Sequence, residues 1–166
     1  MLKGLFGASR QAKLDDAELG KGVWRRDHDR FRRGLDRFHQ MLEGLEAAGP
    51  TPHQSEAQAA ETYQEMVVVA NNLADLLPVV RDIATAGHAA GPSEGMEIPT
   101  GTGGYLNDVH RELSRAGNAL AATAEAIALV RLGVGEGIGV ERKATIVVQH
   151  VNRAGELLHK TSSDNE

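Results

Sequence analysis

The sequence predicts an all-α protein, an antiparallel up-down-up-down four-helix bundle, and three observations lead there. Between Trp24 and Leu45 the residues Trp24, His28, Phe31, Leu35, Phe38, Leu42 and Leu45 recur at alternating spacings of four and three, which aligns them on one helical seam. Two later stretches, 106–130 and 140–158, carry apolar stripes of the same period. The breaks between these stretches are rich in glycine and proline, and short connections make long helices antiparallel neighbours.

Taken in order, helix A is expected from about Leu14 to Ala48, where Gly49, Pro50 and Pro52 stop it. Residues 1–13 read as a flexible lead-in. An alternative for them is a short interfacial anchor, Leu2, Leu5 and Phe6 beside Lys3, Arg10 and Lys13, on an anionic membrane surface. Helix B opens with Thr51 as N-cap, Pro52 at the first helical position and Gln54 at the third. Its run Met66, Val67, Val68, Val69, Ala70, followed by Leu73, Leu76 and Leu77, suggests burial on more than one side. Pro78 removes a backbone donor and crowds the carbonyl of Ala74, so a kink or break is expected nearby. Residues 87–104 form the longest loop.

Helix C follows with Leu106, Val109, Leu113, Ala116, Leu120, Ala124, Ile127 and Val130 on its inner stripe and Gly133 as its stop. Its alanine-rich half, from Ala116 to Ala128, fits a close helix contact within the bundle or with a second subunit. Helix D is expected from about Val140 to Lys160, with Val140, Ala144, Val147, Val151, Ala154 and Leu158 inward. Being shorter than helix A, it leaves part of the surface of A and B bare, where a second subunit would fit. Residues 161–166 read as a disordered tail, so residues 14–160 are expected to form one domain.

Eighteen basic and twenty-three acidic side chains give a formal net charge of -5, which argues against generic nucleic-acid binding. The absence of cysteine excludes disulfides, thiolate metal sites and cysteine nucleophiles. Residues 1–13 lack a secretory apolar core and no run approaches a membrane span, so the cytoplasm is the expected compartment.

Few motifs carry chemistry. Gly133, Gly135, Gly137 and Gly139 lie before a helix, yet neither the G-x-G-x-x-G spacing nor a following Gly-Lys-Ser/Thr occurs, so they read as a hinge. No serine has a G-x-S-x-G setting. Glu61 with Glu65, Asp36 with His39, and Glu156 with His159 read as surface pairs. The histidines allow one sharper arrangement. At about 1.5 Å of rise per residue, His28, His110 and His150 fall at heights of roughly 20, 9 and 15 Å along the bundle. Asp75 falls at a similar level, so His28, Asp75, His110 and His150 are the candidate ligands of a divalent transition metal.

The segments Asp27-His28-Asp29-Arg30-Phe31-Arg32-Arg33 and His110-Arg111-Glu112-Leu113 resemble the histidine-bearing helices of hemerythrin-like bundles. That family places His-x-x-x-Glu on its second helix, where this chain runs from Val67 to Leu77 without a histidine. The acidic ligand expected four or five residues after His150 falls on Ala154 or Gly155, so the resemblance carries over no di-iron site.

The outer face of helix A remains. From Lys21 to Arg37 there are seven positive and three negative side chains, with Arg25–Asp29, Asp29–Arg33 and Arg32–Asp36 as i, i+4 pairs worth about 0.3–0.5 kcal/mol each. The surplus, Arg25, Arg26, Arg30, Arg33 and Arg37, is the candidate partner-binding set, facing either a solvated surface or the acidic patch of a protein partner. A non-enzymatic helical protein acting by protein–protein interaction or homodimerisation is therefore expected, without a cofactor. The alternatives are a histidine-ligated metal or redox bundle and a peripheral membrane protein.

Overall fold

The computed structural model describes residues 2–163, with side chains from 7 to 160. Its helices are α1 (Leu2–Leu19), α2 (Val23–Ala48), α3 (Glu56–Ala74), α4 (Leu76–Ala90), α5 (Tyr105–Arg131) and α6 (Gly137–Ser163). A short 3-10 turn, Thr102–Gly104, precedes α5, and no strand occurs among the described residues. No described helix is long and apolar enough to cross a membrane. The side chains of Leu2, Lys3, Leu5 and Phe6, which the anchor reading needs, and residues 164–166 of the expected tail lie outside the described set.

The expected helix A is two helices. The segment read as a lead-in is helical from Leu2, and the break comes later, at Gly20-Lys21-Gly22. Gly20 has φ +65°, a left-handed conformation that side chains other than glycine's resist. At Gly22 a Cβ would run into Ser93, so the chain must be bare there for the loop after α4 to reach it. That loop supplies what the start of α2 lacks. Gly22 offers no side chain as a cap, and the Val23 amide donates instead to the Ser93 hydroxyl at 3.1 Å. The Gly22 amide donates to the Ser93 carbonyl at 2.9 Å, and the Trp24 indole to the Gly91 carbonyl at 2.9 Å. The 91–101 segment is thus a clamp on the α1–α2 corner.

The capping chemistry expected at Thr51 occurs four residues later. Ser55 is the N-cap of α3 and Gln58 completes the box, while Thr51 and Gln54 close a turn before it. Both stretches have the same Ser/Thr-x-x-Gln spacing, and His53, Gln54 and Ser55 separate Pro52 from α3. The break expected near Pro78 falls at Asp75, between α3 and α4. Pro78 is thereby the third residue of α4, where the missing amide had no intrahelical acceptor to lose.

The predicted stripes form the core. Trp24, His28, Phe31, Leu35, Phe38 and Leu42 of α2 are buried, as are all eight named positions of α5 and all six of α6. Each phenylalanine removed from water contributes about 1.5–3 kcal/mol. Helix α5 packs most extensively on α6 and next on α2; α3 and α4 lie against α2 and α6, and α1 touches only α2 and α4 among the described elements. The small residues serve contacts within the chain: a Cβ on Gly34 would meet Leu120, and one on Gly117 would meet Arg30. Helix α6 has 27 residues against 26 for α2, so the last helix is not shorter than the one it was expected to leave bare.

Candidate functional site

There are three polar assemblies, two of them set by which side of α2 a residue leaves and the third lying between α5 and α6. Successive helical residues point about 100° apart, so Asp27 and His28 are both buried yet serve different neighbours. Asp27 turns towards α5, where the His110 Nδ1 donates to its Oδ2 at 2.7 Å. Burial pushes the Asp27 carboxyl above its ordinary value, against the pull of His110 and of Arg30 and Arg26. On the other side of α5, the His150 Nδ1 donates to Glu112 at 2.7 Å and the Arg115 guanidinium at 2.6 Å. Burial alone would raise Glu112, but those two hydrogen bonds outweigh it and hold its pKa low. Each carboxylate fixes the orientation of one imidazole and ties two helices together.

His28 turns the other way, towards α1 and α4. It is 3% exposed and its Nδ1 meets Asp29 at 3.1 Å. Burial lowers its pKa more than Asp29 raises it. Beside it, Arg81 of α4 grips α1 through Asp15 at 2.8 Å and Glu18 at 2.6 Å. Arg25 of α2 reaches Asp16 at 2.9 Å and Asp29 at 2.9 Å, with Asp15 at 3.8 Å. Burial would raise Asp15, but hydrogen bonds from Gln11 and Arg81 and the two arginine charges lower it. Among its described side chains, helix α1 is thus attached by one buried leucine, Leu19, and a charged network, while every residue from 7 to 14 is exposed. Beside it lies an open cavity of about 440 Å³ between α1, α2, α4 and the end of α3 at Ala74.

The four predicted metal ligands are not brought together. His28, His110 and His150 each pair with a different carboxylate, and Asp75 is exposed at the start of α4. Among the described residues no group of three or more histidine, aspartate or glutamate side chains is placed to hold a metal ion. Height along an axis is one coordinate of three, and the histidines leave their helices in different directions, each to its own carboxylate.

The arginines divide. Arg25 belongs to the α1 network. Arg26, Arg30, Arg33 and Arg37, spaced four, three and four, form an exposed stripe of about 16 Å along α2. Arg26 donates to the Gly95 carbonyl at 2.9 Å and Arg30 to the Ser114 hydroxyl at 3.0 Å, neutral partners that hold a guanidinium without cancelling its charge. Among the described residues none of the four has an ion pair. Of the expected i, i+4 pairs, Arg25–Asp29 forms; Asp29 takes Arg32 at 3.8 Å, and neither Asp29–Arg33 nor Arg32–Asp36 forms.

Asp15, Asp27, Arg81 and Glu112 are not among the sequence candidates. A signal exists for three of them: Asp15, Asp27 and Glu112 each stand four residues before a buried apolar side chain, Leu19, Phe31 and Ala116, so a charge lies on an inward line. Ser93, in a loop, has no such signature. No family model matches the chain, and neither the curated proteins nor the solved structures compared with it include a match.

Proposed function

We propose that this chain is a non-enzymatic helical interaction module. Its frame is an antiparallel four-helix bundle of α2, α3 with α4 as one broken rod, α5 and α6. The neighbour pattern, α2 beside α5, α5 beside α6, and the broken rod against both α6 and α2, supports that ring. The working surface is the arginine stripe, and the occupant is an acidic protein surface, on a different protein or on a second copy of this chain.

One observation carries this reading: four exposed guanidinium groups stand in a row on a chain of net charge -5, none of them in an ion pair among the described residues, the carboxylate beside Arg26 and Arg30 being the buried Asp27. Such a stripe gains little for folding, whereas it steers and orients an acidic partner. The test is the double variant Arg33→Glu, Arg37→Glu. Both side chains are exposed, so the helical circular dichroism should stay as in the native chain. Self-association by sedimentation, and capture of acidic partners at low salt, should fall about tenfold or more and should weaken in the native chain as salt is raised. Association unchanged by the reversal would sink the proposal.

A further inference from the structure

We infer that the cavity beside α1 is a binding site for a small hydroxy acid, a compact apolar body with a hydroxyl at one end and a carboxylate at the other. The cavity measures about 440 Å³ and is lined by α1, α2, α4 and the last residue of α3, Ala74. That volume lies within the range of small-molecule sites, roughly 300–1,000 Å³.

The two ends follow from what each polar group already has. Arg81 is spent: its guanidinium nitrogens go to Asp15 and Glu18. Asp15 is in turn held by Arg81 and Gln11, so its charge is balanced before anything enters. Two groups on the α2 wall keep capacity. Arg32 has only the long contact to Asp29, at 3.8 Å, and its side chain is 46% exposed, which places a free guanidinium fork at the mouth. His28 lies deeper, with Nδ1 on Asp29. A carboxylate only accepts, so Asp29 fixes the proton on Nδ1 and leaves the Nε2 of the neutral ring as an acceptor. No described residue takes Nε2, yet among the described residues no buried side-chain nitrogen or oxygen lacks a partner, so Nε2 is not sealed off and has access to the cavity that His28 lines.

His28 and Arg32 stand one helical turn apart, about 6 Å along the axis. A ligand that satisfies both gives a hydroxyl proton to Nε2 and accepts the guanidinium on a carboxylate at its other end. The opposite wall is apolar, Ala74, Leu77 and Pro78, and suits a flat or short hydrocarbon body between the two ends. The assignment is independent of the arginine stripe, since neither His28 nor Arg32 belongs to it.

The experiment is isothermal titration of the full chain with para-hydroxybenzoate, benzoate and para-hydroxybenzamide. The expected result is saturable one-to-one binding of para-hydroxybenzoate, with benzoate and the amide each weaker by about tenfold or more. Arg32→Ala, an exposed change that leaves the core intact, should lower para-hydroxybenzoate affinity by a similar factor. His28→Gln should lower it for para-hydroxybenzoate while leaving benzoate unchanged. Absence of binding at millimolar ligand, equal affinity for the three compounds, or affinity unchanged by Arg32→Ala would each overturn the assignment.

Discussion

Ser93→Ala offers a sharp test of how the N-terminal corner is built. Ser93 is 1% exposed; its hydroxyl accepts from the Val23 amide at 3.1 Å and donates to the Glu97 carbonyl at 3.0 Å. Alanine removes both bonds at once and leaves a buried amide without an acceptor. Loss of an N-cap costs about 0.5–2 kcal/mol, and a buried donor left unmade about 1–3 kcal/mol. These overlap, because the capped amide is the orphaned one, so the expected destabilisation is about 2 kcal/mol. For a chain of this size that lowers the melting midpoint by roughly 4–8 °C. Urea unfolding should show the midpoint falling at constant slope, and the Val23 amide should lose protection from hydrogen exchange. Gly22→Ala adds an independent arm: its Cβ meets both the Ser93 hydroxyl and the Ser93 carbonyl, so combining the two changes relieves part of the clash and should cost less than their sum. A change below about 0.5 kcal/mol for Ser93→Ala would refute the clamp as the cap of α2.

Two further predictions concern buried groups. The Asp27 pKa is raised on folding, so its contribution to stability is present below the ordinary aspartate value and is lost as pH rises through the raised one; the Asp15 pKa is lowered, so its contribution is present above the ordinary value and is lost as pH falls through the depressed one. Relative to the native chain, Asp27→Asn should therefore gain stability with rising pH and Asp15→Asn should lose it, each in its own window. Urea midpoints measured in pH steps check this, and trends of the same sign would contradict it. Gly87→Ala places a methyl group 2.8 Å from the ring of Trp24, which is fully buried; overpacking should cost about 1–3 kcal/mol and shift the emission of the sole tryptophan. An unchanged midpoint and spectrum would show that the ring has room to yield.

What the sequence discloses is governed by the range over which each feature is specified. The α5 and α6 stripes and the α2 seam are legible because every turn of the helix votes for the same face, and Trp24, Phe31 and Phe38 emerge as core from spacing alone. The corner at Gly20-Lys21-Gly22 is not, since two glycines within an otherwise helical pattern cost only about 1 kcal/mol each and a distant loop decides the outcome. Thr51 and Ser55 compete with equal local credentials, and packing chooses between them. At the functional level the arginine surplus is visible as composition, but the assignment of Arg25 to an α1 grip, apart from the stripe, depends on where α1 lies. The metal reading failed to converge for a related reason: rise along an axis is encoded locally, whereas azimuth about neighbouring helices is a property of the assembled chain.

The Ser93 clamp also sets an order of events. Its partner amide lies 70 residues earlier in the chain, so during synthesis at 5–20 residues per second the first turn of α2 waits roughly 4–14 s for its acceptor. Closing so long a loop is entropically costly before neighbouring contacts form, and the contact therefore belongs to the late part of folding. Until then, within the 14–48 stretch, the corner at Gly20 is spanned by the contacts of Arg25 to Asp16 and Asp15 without the backbone clamp. A nascent chain of about ninety residues has the Arg25 and Arg81 contacts to α1 but not the Ser93 clamp. The final orientation of α1 is imposed from the middle of the sequence, after most of the helical frame already exists.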